Sequence, residues 1–181
     1  DQVIIESGGT LNFNNGTLTV NDGTGNDIDI QSNGAFVLSS ANNSPTFIGG
    51  NPTINIQGSG ILRVSAAGLT TTVGGGVHSN NYVYQHQSIL EYTLNGAFGS
   101  NNVTYFPNVN ATTIPIFRTI NTSVLLVGAT NPTIINGVFE CNGTANITWQ
   151  NSGNKVFRNG IRGTGNVNAN ASAASSKFII N

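Results

Sequence analysis

Short strand-like words that recur at a fixed offset constrain this chain more than any other feature. DIDIQSNGAFVLSS at 27–40 aligns without gaps on TINIQGSGILRVSA at 53–66, a shift of 26. TLNFNNGTLTV at 10–20 aligns on TFIGGNPTINI at 46–56, a shift of 36, and NPTI occurs at 51–54 and again at 131–134. Self-similarity at this scale means stacked supersecondary units. A coil of about 18 residues with two strands and one of about 26 with three each fit part of the pattern, and both stay open.

The words themselves read VIIE (3–6), TLNF (10–13), TLTV (17–20), DIDI (27–30), AFVL (35–38), TFIG (46–49), TINI (53–56), ILRV (61–64) and LTTTV (69–73). Many alternate apolar with small polar residues, as a strand with one buried face must. NNG, NDGTGN, QSNG, GGNP and QGSG separate them and are turn clusters. No window carries a helical period. Each word is too short to stand as a hairpin strand, whereas coils stacked at about 4.8 Å align like words into parallel sheets. The expectation is an all-β, right-handed parallel β-solenoid (β-helix) of short strands, with Asn ladders at its turns. The alternative is an antiparallel β-sandwich, whose hairpins the Asn-Gly and Asp-Gly pairs would also suit.

One solenoid domain spans 1–181. Within it, 74–130 reads as a less regular segment with longer loops, and GTGNVNANASAASS near the end reads as a loose loop or linker. The end otherwise resumes short words: GVFE (137–140), ITWQ (147–150), KVFR (155–158) and KFII (177–180). The chain opens at Asp1 and holds no Met, which fits a mature or excised piece of a longer product.

Charged residues make up 7% of the chain and the net charge is −1. That disfavours a nucleic-acid partner, which needs a basic face. Hydrophobic residues at 38% disfavour disorder. No apolar run approaches the roughly 18 residues of a membrane span. A single cysteine, Cys141, cannot form an internal disulfide and reads as a plain buried thiol.

NDGTGNDIDI at 21–30 resembles a calcium-roll turn, and Asp22, Asp27 and Asp29 form a weak calcium candidate. A calcium roll needs that motif in tandem, and it occurs once. The stretch therefore reads first as a turn entering a strand, in a fold without cofactors. Acid–base chemistry on a glycosidic bond needs two converging carboxylates, and the seven acids are scattered except at 22–29. No enzyme is expected. Asp29 beside Arg63 would be a structural ion pair. Tyr82, Tyr84 and His86 in VHSNNYVYQHQ form a candidate ligand-stacking patch, with His78 at its flank and Trp149 in a separate word. There is no zinc-type spacing. Asn-x-Ser/Thr sequons start at Asn15, Asn42, Asn102, Asn110, Asn121, Asn142, Asn146 and Asn170, and permit glycosylation without showing it.

The phrases GGTLNFNNGTLTV, GNPTINIQGSGILRVSA and TIINGVFECNGTANITWQNSGNKVFRNGIRGTGNV resemble the repeat regions of large secreted surface proteins of Bacteroidota. That family includes adhesin-like β-solenoids exported by type IX secretion. The resemblance implies an extracellular structural or adhesive module, secreted or at the cell surface, whose partners are the rest of a longer solenoid, a second copy, or surface glycans. The sorting domain that this route reads is not visible, which fits an internal piece. The rivals are a filament subunit joined through open β-edges, and a carbohydrate-binding or carbohydrate-cleaving β-helix.

Overall fold

The computed structural model describes residues 2–14, 18–39, 46–48, 52–65, 82–93, 96–99, 114–127, 133–149, 154–169 and 177–181. It is all-β, with no helix among the described residues. In chain order the first coils run β1 (Val3–Ile5), β2 (Thr10–Phe13), β3 (Thr19–Asn21), then β4 (Ile28–Ile30), β5 (Ala35–Leu38), β6 (Thr46–Ile48). They continue through β7 (Ile54–Ile56), β8 (Ile61–Val64), β9 (Tyr82–Tyr84), β10 (Ile89–Tyr92), β11 (Gly96–Gly99) and β12 (Ile116–Ile120). The last are β13 (Ser123–Val127), β14 (Thr133–Ile135), β15 (Val138–Asn142), β16 (Asn146–Trp149), β17 (Lys155–Phe157), β18 (Ile161–Arg162), β19 (Asn166–Ala169) and β20 (Phe178–Ile180).

Every pairing among the described residues is parallel and joins strands of successive coils. The strands form a β-solenoid with three faces. Face 1 holds β1-β4-β7-β9 and β14-β17-β20; face 2 is the unbroken seven-stranded sheet β2-β5-β8-β10-β12-β15-β18; face 3 holds β3-β6 and β11-β13-β16-β19. Three strands per coil resolves the period. Ile28 pairs with Ile54, the shift of 26, whereas Thr10 pairs with Ala35 and Thr46 with Thr19, so the shift of 36 joins no partners.

The 74–130 segment contributes strands to the stack: β9 to β13 lie within it, and Ile89 stands between Ile61 and Ile116 in register, while 74–81, 94–95, 100–113 and 128–130 lie outside the described residues. The word at 69–73 lies outside the described residues. The GTGNVNANASAASS stretch is not wholly loop, because β19 runs through it and pairs with β16.

Strand alternation sends one side chain in and the next out. On face 2 the inward column is Leu11, Phe36, Leu62, Leu90, Phe117, Phe139 and Ile161, in register from rung to rung. Rings run through the interior: Tyr92–Phe117 at 5.2 Å, Phe117–Phe139 at 4.8 Å, Phe139–Phe157 and Phe157–Phe178 at 5.6 Å. Such pairs contribute about 0.5–1.5 kcal/mol each beyond area burial. On face 1 isoleucines fill the inward positions, with Ile28, Ile30, Ile54 and Ile56 fully buried. Lys155 shares that interior, and burial pushes its ammonium pKa down.

The corner between faces 1 and 2 is a stacked turn. Glu6–Gly9, Gln31–Gly34, Gln57–Gly60 and Gln85–Ser88 each close with a backbone bond from the fourth N–H to the first C=O. The third residues, Gly8, Asn33, Ser59 and Gln87, all have φ between 62° and 78°. Positive φ at this position is what a type II turn requires. The N–H of each of Gly8, Asn33 and Ser59 also donates to the carbonyl of the equivalent residue one coil on. QSNG and QGSG are thus the same corner repeated.

Candidate functional site

The densest chemistry lies on the outside of face 2. Between inward Leu62 and Val64 sits Arg63, and the same outward position on successive strands is Glu91, Arg118, Glu140 and Arg162. Five charges of alternating sign form one column. Of the 13 charged residues in the chain, five stand here. Arg63 Nε donates to Glu91 Oε1 at 2.5 Å, and Arg118 Nη1 reaches Glu91 Oε2 at 3.4 Å. Arg118 Nε donates to Glu140 Oε2 at 2.5 Å, and Arg162 Nε to Glu140 Oε1 at 2.6 Å. Each carboxylate is held by two guanidinium groups, one from the coil before and one from the coil after.

The acids are the covered members. Their side chains are 2% and 8% exposed for Glu91 and Glu140, against 35%, 22% and 58% for Arg63, Arg118 and Arg162. Burial alone would raise the Glu140 pKa. The hydrogen bonds from Arg118 and Arg162, with their charges, outweigh it and hold the carboxyl below its ordinary range. Arg suits this place because its stem lies along the sheet while its planar fork reaches a carboxylate one rung away. Chemically the column is saturated: both oxygens of each Glu accept from Arg, so the ladder binds its own coils together.

From the sequence, Arg63 and Asp29 would form an ion pair if they were neighbours. The structure places them on different faces: Arg63 meets Glu91, while Asp29 accepts from Asn55 Nδ2 and Gln57 Nε2, both at 2.7 Å. Gln85 Nε2 continues the polar run onto Asn55 Oδ1 at 2.9 Å. A signal for the charged column existed. The words LRV, LEY, FRT, FEC and IRG put a charge after an apolar residue at separations of 28, 27, 22 and 22.

The aspartates of the opening motif build a turn. Asp27 is 4% exposed, and its two oxygens accept the backbone N–H groups of Gly23 and Thr53, each at 2.7 Å. One bond closes the turn and the other clamps the next coil. Asp22 is exposed and shares with Asp27 a hollow of about 290 Å³ beside Gln2, Val3 and Leu18. Asp29 is not among the residues lining it. Among the described residues no group of three His, Cys, Asp or Glu side chains is placed to hold a metal ion.

The aromatic patch is not assembled as expected. Tyr84 is 8% exposed and belongs to the interior cluster, because the third position of face 1 strands points inward. His86 lies exposed in the corner turn. Tyr82 opens β9, but its side chain and that of Trp149, like the whole of His78, lie outside the described residues. Cys141 is 1% exposed, its Sγ within 3.2 Å of Asn166 O and 3.4 Å of Ala145 O, and burial raises its pKa. Asn168 Nδ2 of β19 donates to Asn146 Oδ1 of β16, two positions out of register, and Asn121 Oδ1 accepts from Thr144 N at 3.1 Å; neither contact is a ladder of like Asn side chains at a turn.

No helix among the described residues is long and apolar enough to cross a membrane. Compared with known proteins, the chain matches no family model, no curated protein and no solved structure.

Proposed function

We propose that this chain is a non-enzymatic structural and adhesive module of a bacterial cell-surface protein, working outside the cell as a stiff spacer that presents neutral polar surface. The observation that carries the reading is the saturated column on face 2. The largest assembly of charged groups on the described surface is spent on holding coil to coil, with no carboxylate oxygen left to act on a substrate. A solenoid makes length cheaply, since each coil contacts only its neighbours. Amide and hydroxyl groups then supply weak contacts that repetition along a rod turns into avidity.

The test immobilises the chain on beads at several densities and flows neutral polysaccharides over them. Retention that rises steeply with density, with no new reducing ends released, is the expected result. Release of reducing ends at a rate proportional to protein overturns the reading in favour of a glycan-cleaving β-helix.

A second reading, a filament subunit, is favoured by the placement of exposed apolar side chains. Val3 and Ile4 on β1 and Ile179 and Ile180 on β20 are 36–61% exposed, and these are the two outermost strands of face 1. Such edges invite strand addition. Negative-stain microscopy separates the two: stubs about 35 Å long at every concentration fit a module, and filaments that lengthen with concentration fit a subunit.

A further inference from the structure

We infer that the alternating charges of face 2 specify the order in which the coils stack. The inward column cannot do this. Phe36, Leu62, Leu90, Phe117 and Phe139 are all large and apolar, all at most 1% exposed, and any one of them can pack on any other. A chain that loops out one coil and pairs the strands on either side keeps its apolar matches. Chain entropy does little to forbid such a skip, because loop-closure cost grows only slowly with loop length. Parallel strands of two to five residues carry little other register information.

The outward column does carry it. In the native order Arg63 meets Glu91, Glu91 meets Arg118, Arg118 meets Glu140 and Glu140 meets Arg162. Skip one coil, and Arg63 faces Arg118, Glu91 faces Glu140 and Arg118 faces Arg162. Each of these three alternative skips creates one like-charged contact, which is destabilising between directly opposed residues. Looping out the Arg118 coil would also leave each covered glutamate with one guanidinium where the native order gives it two. Strict alternation is the shortest charge pattern in which neighbours attract and next-neighbours repel. Polar residues that set register at some expense in stability are an attested use of buried charge and amide groups.

Two variants of the 181-residue chain test this. The first reverses the column, R63E/E91R/R118E/E140R/R162E, and keeps the alternation. The second exchanges two members, E91R/R118E, and keeps the composition. Its column reads plus, plus, minus, minus, plus from position 63 to position 162, so that two native contacts repel and all three one-coil skips attract. Each chain is refolded from denaturant and followed by hydrogen–deuterium exchange with mass spectrometry on strand peptides. The expected result is wild-type protection throughout face 2 in the reversed chain. In the exchanged chain the amides of β10, β12 or β15 exchange about 100-fold faster or more while the remaining strands stay protected. An exchanged chain protected on all seven strands overturns the inference. So does a reversed chain that loses a coil. An exchanged chain that unfolds globally beside a natively folded reversed chain also overturns it, leaving the column a stabilising role alone.

Discussion

Replacing Gly143 by Ala tests how tightly successive coils are locked at the corner between faces 2 and 3. Gly143 has φ of 64°, where an L-residue costs roughly 1–2 kcal/mol over Gly. A Cβ there would also be driven into Asn121 Oδ1, the atom that accepts the Thr144 N–H from the next coil at 3.1 Å. Displacing Asn121 loses that bond, worth about 1 kcal/mol. The expected destabilisation of G143A is therefore about 2–3 kcal/mol. Asn121 is itself in the left-handed region at φ 52°, so N121G loses the same bond and relieves part of its own strain. Its net cost is about 0–1 kcal/mol. In the double variant there is no side chain left to collide with, and the coupling between the two sites comes to about 1 kcal/mol. Urea unfolding of the four proteins at a common slope measures the cycle. A G143A cost below about 1 kcal/mol, or additive single costs, would show that the collision is relieved by backbone movement and that the coils are not locked at this corner.

Other consequences follow from the same geometry. Ser59 and Gln87 sit at φ 64° and 62° where the first rung has Gly8, so S59G and Q87G should each stabilise by about 0.5–1 kcal/mol, seen as a higher denaturant midpoint. Glu140 titrates below its ordinary value near 4.5, so the folded chain binds fewer protons than the unfolded one in that window. Its contribution is whole above about pH 5 and is lost as pH falls through the folded value. E140Q should flatten the acid limb of the stability curve and cost roughly 1–2 kcal/mol at neutral pH, the Arg162 side being well exposed. Cys141, buried and with a raised pKa, should react with a thiol reagent at least about 100-fold more slowly in the folded chain than in denaturant; rapid labelling would mean that β15 opens readily.

The fold was legible where coils have equal length and failed to be where they do not. Ile28 and Ile54 lie 26 apart, and the words around them align without gaps and share Ile28/Ile54, Ile30/Ile56, Gln31/Gln57 and Gly34/Gly60, so the eye finds the pair. From Ile116 to Val138 the step shrinks to 22, so one fixed period cannot be carried through the chain. The shift of 36 arose because alternation of apolar and small polar residues is generic to strands and matches at many offsets. β18 is only two residues long and sits among glycines, too short for any pattern to register. The Tyr84 error is of another kind. A word such as YVY gives alternation but not phase, and only the fold says which parity points inward.

The charged column was hidden by its own economy, because each strand supplies one charge in an otherwise apolar word. The few charges that the chain does carry are concentrated where coils meet. Five are matched in the face 2 column, and Asp27 and Asp29 are satisfied by backbone and amide donors of their own turn and the next coil. Arg158 donates to Asn136 one coil back. A chain with 7% charged residues could scatter them over its surface for solubility. This one places most of them across coil boundaries, where a charge distinguishes neighbour from next-neighbour and a methyl group does not. Adding surface charge at random positions should therefore be tolerated, whereas adding one charge inside the column should not, and that difference separates a charge pattern that serves register from one that serves solubility.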